Sequence, residues 1–145
     1  MRGYLGLGSN EGDRLANLRA ARECLAERLE VVGASSVYET APQGEVLDQP
    51  DFLNAVLAIE TELGPFELLD LCKDVERGLG RAPGATRHRP RPIDVDVLLL
   101  ERTTLQTERM TLPHPELGAR RFVLEPLLEV MTALGEQRVE RVGDL

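Results

Sequence analysis

Ile93-Asp94-Val95-Asp96-Val97-Leu98-Leu99-Leu100 alternates branched apolar residues with carboxylates and then continues as pure hydrocarbon. Successive side chains of an extended chain point to opposite faces, so Ile93, Val95 and Val97 share one side and Asp94 and Asp96 the other. The stretch predicts a fully or half-buried strand over residues 93–100, with a core on one side and paired acids on the other. Just upstream, Pro83, Gly84, Pro90 and Pro92 exclude regular structure.

Working back from that strand, Pro65 suits the first turn of a helix. Its apolar stripe (Leu68 or Leu69, Cys72, Val75 and Leu79) ends at Gly78 and Gly80. Residues 52–61 are strongly strand-like. A loop at 41–51, with Pro42, Gly44 and Pro50, separates them from a β-branched strand at 31–40. At the N-terminus, residues 4–8 predict a strand. A polar turn with a helix N-cap follows at 9–13, then a helix carrying Leu15, Leu18, Leu25 and Leu29. The order βαββαβ matches a ferredoxin-like α+β fold, an antiparallel sheet with helices packed on it. Residues 120–131 add a further helical segment.

The 145 residues suit one domain, and there is no internal repeat or low-complexity linker, so residues 1–145 are read as a single unit. Cys24 and Cys72 are isolated in helix-like sequence and form no zinc or CxxC spacing, which predicts buried thiols in a reducing compartment. No apolar run is long enough to span a bilayer, and the chain opens directly into a strand pattern, so we expect a cytoplasmic protein. A net charge of −8 argues against general binding to nucleic acid or anionic membrane. Between Glu76 and Asp94, however, no acid occurs, while Arg77, Arg81, Arg87, His88, Arg89 and Arg91 do. This is a positive island on a negative chain.

Two bare carboxylates about 4 Å apart repel by about 4 kcal/mol at an effective dielectric of 20. Asp94 and Asp96 therefore call for a neutralising partner. Mg²⁺ takes one or two carboxylates and completes its shell with water and phosphate. Taken singly, the acids could be a solvated strand face and the arginines a solvated basic loop. Together they form a pair that fits a phosphate substrate, because arginines hold phosphate oxygens while a metal cancels the remaining charge. Aromatics are only 3% of the chain, so Phe52 and Phe122 beside polar motifs suggest stacking faces for a flat ligand as readily as core filling. Asn54 offers both a donor and an acceptor on one amide.

Pro90-Arg91-Pro92-Ile93-Asp94-Val95-Asp96-Val97-Leu98 resembles the signature of the 6-hydroxymethyl-7,8-dihydropterin pyrophosphokinases of folate biosynthesis. Further blocks resemble the family in the family order: Gly8-Ser9-Asn10, Thr40-Ala41-Pro42-Gln43-Gly44, Asp48 through Ala55, Gly80-Arg81, and Pro113-His114-Pro115 with Arg120 and Phe122. The likeness covers nearly the whole chain. It implies an enzyme that moves the β,γ-pyrophosphoryl unit of ATP to the pterin hydroxymethyl group and leaves AMP. By the same likeness, two Mg²⁺ are shared by Asp94 and Asp96, and Arg81 and Arg91 contact the transferring phosphates. His114 and Arg120 hold the nucleotide's phosphates, with Glu76, Val97, Arg109 and Thr111 near the adenosine. The pterin lies between Phe52 and Phe122, read by Asn54 and by the backbone of Thr40, Ala41, Pro42 and Gln43. We expect a monomer whose partners are ATP and the pterin.

The sequence also departs from the family pattern. Arg89 stands where a small residue is usual, His88 where a bulky aromatic is frequent, Pro83 where a basic residue is frequent, and Phe52 replaces a frequent tyrosine. The first three alter the stiffness and charge of the arginine segment, and the last keeps the stacking face. The alternative reading is a ferredoxin-like module that senses a nucleotide or binds RNA. An RNA-binding sheet face would be poorly served by two aspartates.

Overall fold

The computed structural model describes residues 1–40, 51–80, 92–117 and 121–135. Their elements run β1 (Arg2–Ser9), α1 (Arg14–Ala26), β2 (Glu30–Ala34), β3 (Tyr38–Thr40), β4 (Phe52–Glu60), α2 (Pro65–Gly78), β5 (Asp94–Leu100), β6 (Leu105–Gln106), β7 (Thr111–Leu112) and α3 (Arg121–Gly135). The main sheet is antiparallel in the order β2-β4-β1-β5, with β3 pairing to the start of β4. This is the α+β order expected from the sequence, with two additions. The strand expected over 31–40 is split into β2 and β3, and β6 and β7 form a small hairpin. The irregular segments expected at 41–50 and 81–91 lie outside the described residues.

The split has a local cause. Ser35 still belongs to the β4 ladder, its N–H donating to the Val56 carbonyl at 2.9 Å and its Oγ accepting from the Val56 N–H at 2.9 Å. At Ser36 the backbone N–H instead donates to the Glu129 carboxylate at 2.6 Å, which draws the chain out of the ladder before it re-enters at Tyr38.

Strand alternation sorts the core into two layers. Leu5 and Leu7 of β1, Ala55, Leu57 and Ile59 of β4, and Val95 and Val97 of β5 face α1 and α2, which contribute Leu18, Ala21, Leu25, Leu68, Leu71, Cys72 and Val75. The opposite face carries Tyr4, Val56, Ala58 and Leu98 beneath Leu127 and Val130 of α3. Alternation carries Leu98, like Asp94 and Asp96, to the α3 side, and the β1–β5 register shift between Tyr4 and Leu5 then turns Leu100 back into the main core. The unbroken Leu98-Leu99-Leu100 run follows, since both faces are covered there. Each fully buried aliphatic side chain contributes about 1.5–3 kcal/mol, and truncating Leu57, which is 2% exposed, to alanine would cost about 2–5 kcal/mol.

The helix ends are specified locally. Asp13 caps α1 by accepting from the Ala16 N–H at 3.1 Å. Pro65 opens α2 while the Glu67 carboxylate accepts from the Gly64 N–H at 3.2 Å. The chain leaves α2 through Gly80, whose φ of 103° is open to glycine and strained for other residues.

Candidate active site

Helix α3 covers only part of its face of the sheet. Beyond it the same face continues as Gly6 and Gly8 on β1, Phe52 and Asn54 on β4, and Asp94 and Asp96 on β5. Strand register puts these residues in rows: Gly8 lies between Asn54 and Asp94, and Gly6 between Val56 and Asp96. With neighbouring strands about 4.8 Å apart, the Asn54 and Asp94 backbones are about 10 Å apart across Gly8.

Gly8 is the floor of this patch. A Cβ there would lie 3.2 Å from Asn54 Oδ1 and 3.6 Å from Phe52 Cδ1, so its absence leaves a flat strip between the amide and the ring. At one end Asn54 Nδ2 donates to Thr40 Oγ1 at 2.6 Å, which orients the amide. Arg14 braces the same end: its Nη1 lies 2.9 Å from the Glu39 carboxylate and donates to the Asp51 carbonyl at 2.8 Å, joining the residues on either side of segment 41–50.

At the other end stand Asp94 and Asp96, both half-buried, with Ile93, Val95 and Val97 buried on the opposite face as the sequence predicted. Glu76 of α2 is 1% exposed and paired with Lys73 Nζ at 3.1 Å. Burial first, and then the fields of Asp96 and Glu76, push the Cys72 thiol up to about 12, which favours the protonated thiol at neutral pH. The two aspartates offer hard oxygen donors on an accessible face. Among the described residues no group of three His, Cys, Asp or Glu closes a metal cage. An open two-carboxylate set suits Mg²⁺, whose remaining positions take water and phosphate. Close to this pair in sequence, a Cβ built on Gly80 lies 3.9 Å from Pro92 Cγ, so the residues on either side of 81–91 meet.

The chain matches the family described as 7,8-dihydro-6-hydroxymethylpterin-pyrophosphokinase over residues 4–132. The chain belongs to this pyrophosphokinase family. It is 48% identical over 131 residues to the 2-amino-4-hydroxy-6-hydroxymethyldihydropteridine pyrophosphokinase of Methylorubrum extorquens, covering 89% of this chain and 82% of that one. With the Bacillus subtilis protein of the same name it shares 45% over 129 residues, 88% of this chain and 76% of that one. It is also 39% identical over 137 residues to the mitochondrial folate synthesis bifunctional protein of Pisum sativum, covering 93% of this chain and 26% of the longer relative.

Of the residues that family resemblance assigns to the nucleotide, His114 is tied to the carboxylate strand. Its N–H donates to the Leu98 carbonyl at 2.8 Å, and its Nδ1 accepts from the Glu116 N–H at 3.1 Å. That second bond caps the turn at Pro113-His114-Pro115, and it leaves Nε2 as the protonated nitrogen of the neutral ring. The Val97 side chain is 4% exposed in the main core, so only its backbone, on the terminal strand of the sheet, is placed to meet a ligand. Arg109 is exposed on the hairpin connection, paired with Asp70 at 2.6 Å and stacked 5.4 Å over the Phe66 ring. Thr111 pairs with Gln106 in the hairpin. The structure thus brings Thr40, Phe52, Asn54, Asp94 and Asp96 onto one patch and places Arg109 against the first half of α2. Ala41, Pro42, Gln43, Arg81, Arg91 and Arg120 lie outside the described residues, and Phe122 is described only as backbone of α3.

The sequence puts Gly8 at the end of the first strand and in the Gly8-Ser9-Asn10 block, but does not itself show that Gly8 floors the patch. The signal for its role was the alternation of Gly6 and Gly8 inside a strand, which marks close approach of another group.

Proposed function

We propose that the chain transfers the β,γ-pyrophosphoryl unit of ATP to the hydroxymethyl group of 6-hydroxymethyl-7,8-dihydropterin, releasing AMP, as a step of folate biosynthesis. The observation that carries this reading, in a chain of this family, is the row Asn54–Gly8–Asp94. It sets an amide that reads a heterocycle edge about 10 Å from a carboxylate pair, across a floor without side chains. A bicyclic ring laid on that floor, with its polar edge at Asn54 and Thr40, points its far end at Asp94 and Asp96.

In the reaction the hydroxymethyl oxygen attacks the β-phosphorus. The bond from that phosphorus to the α–β bridging oxygen breaks, AMP leaves with the bridging oxygen, and the hydroxyl proton is released to water. Asp94 and Asp96 would hold two Mg²⁺, which when bound neutralise the triphosphate and acidify the attacking hydroxyl. Phe52 offers a ring face to the pterin, and Asn54, fixed by Thr40, selects its orientation. Phe122 supplies the second stacking face, and the backbone of Ala41, Pro42 and Gln43 completes the edge recognition. Arg81 and Arg91, chain neighbours of the adjoining Gly80 and Pro92, take the β- and γ-phosphates, where charge develops. His114 and Arg120 bind the nucleotide's phosphates. Glu76, Thr111 and the Val97 backbone border the adenosine, and Arg109 reaches it by exchanging its Asp70 contact. We further propose that the protein acts in the cytoplasm as a monomer, independent of membrane and nucleic acid. Its charge of −8 supports this reading, as does the lack of any helix, among the described residues, long and apolar enough to cross a membrane.

Incubation with Mg²⁺, ATP and the hydroxymethyldihydropterin, with chromatography of the nucleotides, tests the reading. AMP should appear in step with pterin diphosphate. ADP in step with a pterin monophosphate, or no pterin-dependent consumption of ATP, would overturn it.

A further inference from the structure

Opposite the carboxylates, one acidic residue outside the site joins the two elements that flank its pterin half. Glu129 of α3 takes three hydrogen bonds from a single short stretch of chain. Oε1 accepts from the Tyr38 hydroxyl, and Oε2 accepts from the Ser36 N–H at 2.6 Å and the Ser36 Oγ at 3.0 Å. These contacts bridge 91 and 93 residues of sequence and connect α3 directly to β3. The geometry is that of a carboxylate latch, and the carboxyl is held below its ordinary range first by the Tyr38 bond and then by the Ser36 N–H.

What the latch holds is informative. β3 is only three residues long, and its sole described strand partner is the start of β4: Tyr38 opposite Asn54, Glu39 opposite Leu53, and Thr40 opposite Phe52. So short a strand fixes its own position weakly. Yet it carries the Thr40 hydroxyl that orients Asn54 at 2.6 Å, and it leads directly into segment 41–50. On the other side of the latch, the α3 backbone reaches residue 122 two turns, or about 10 Å, before Glu129. Tyr38 and Glu129 thus stand where the polar edge and the helix wall of the patch are tied together.

We propose that Glu129, acting through Tyr38 and Ser36, is a positioning residue for the pterin half of the site. It sets the spacing between α3 and the Thr40–Asn54 edge, and so governs pterin binding without touching substrate. The proposal rests on the pterin reading above. It distinguishes the two substrates, since the Asp94–Asp96 end belongs to β5, which the latch does not touch.

Steady-state kinetics on Tyr38→Phe, Glu129→Gln and Glu129→Asp, with melting temperatures, test it. Glutamine keeps the shape but turns an amide N–H toward donors. Tyr38→Phe and Glu129→Gln should each raise the pterin KM by about tenfold, the size expected for losing a charge-assisted bond. The ATP KM and kcat should stay within about twofold. Glu129→Asp, which keeps the charge, should recover part of the loss. If the melting temperature falls while the pterin KM is unchanged, or both KM values rise together, the latch is merely structural and the proposal is overturned. An active wild type with unaffected variants overturns this proposal alone. A wild type that forms no AMP with pterin overturns the functional reading and this proposal with it.

Discussion

Replacing Gly8 by alanine probes the floor of the patch with one methyl group. Positive φ occurs, among the described glycines, at Gly12 and Gly80 and not at Gly8, so alanine meets no backbone strain. Losing a strand glycine stabilises by about 0.5–1 kcal/mol. Against that, the new Cβ sits 3.2 Å from Asn54 Oδ1, a contact relieved only by shifting an amide that is itself bonded to Thr40. Such crowding costs about 1 kcal/mol at the lower end of overpacking. The two effects nearly cancel, and the melting temperature should move by only about 4 °C or less. Binding should change far more, because the methyl occupies the strip on which the ring lies and displaces the amide that reads it. Pterin affinity should fall by at least about tenfold, or 1.4 kcal/mol, with the affinity for a non-hydrolysable ATP analogue unchanged. Isothermal titration with each ligand reads both numbers, and calorimetric melting reads the stability. A Gly8→Ala protein that binds pterin within twofold of wild type, or loses both ligands equally, would refute the placement of the pterin over β1.

Asp94→Asn and Asp96→Asn should each abolish Mg²⁺-dependent turnover, a loss of several kcal/mol of barrier. Relief of like-charge repulsion should leave melting temperatures equal or slightly raised, and near-normal activity in either variant would contradict the metal assignment. Phe52→Ala should mainly weaken pterin binding, whereas Arg91→Ala should lower kcat by about 10³-fold or more; an Arg91→Ala enzyme with normal kcat and only a raised pterin KM would reverse that division of labour. The latch should respond to pH at both ends. The Glu129 carboxyl is held low, so its contribution is present above the unfolded value of about 4.3 and is lost as pH falls through the folded value. The Tyr38 hydroxyl is raised by its bond to Glu129, by burial and by the fields of Glu129 and Glu125, so its contribution is full below about 10 and lost as pH rises through the folded value. The melting-temperature gap between wild type and a Tyr38→Phe/Glu129→Gln variant should narrow at both extremes, and a gap unchanged between about pH 3 and 7 would contradict the carboxylate's role.

Local periodicity made much of this legible. The alternation at 93–97 assigned Asp94 and Asp96 to the side away from the core, and Pro65 with the Leu68–Cys72–Val75 stripe located α2. What escaped depends on contacts remote in sequence. The break between β2 and β3 follows from a carboxylate 93 residues away competing for the Ser36 N–H. Glu129, one of two acids with Glu125 in a largely apolar helix, carries no periodic mark of its partners. Gly8 was ambiguous because glycine signals a turn and a close approach alike, and only the register with Asn54 and Asp94 decides between them. The Val97 side chain is informative in the opposite sense: the family resemblance put the residue near the nucleotide, while strand alternation buries its side chain.

The central claim is that one sheet face carries the metal end at β5 and the pterin end at β4, separated by Gly8. Backbone and side-chain amide NMR with Mn²⁺ in place of Mg²⁺, in the presence of pterin and an ATP analogue, measures this directly as distance-dependent broadening. Broadening should be strongest at Asp94, Asp96 and Gly8 and weaker at the Asn54 side-chain amide, about 10 Å away. It should be weakest at Thr61, about 23 Å farther along β4 from Asn54. It should vanish in Asp94→Asn/Asp96→Asn. Broadening centred elsewhere, or persisting in that double variant, would contradict the account.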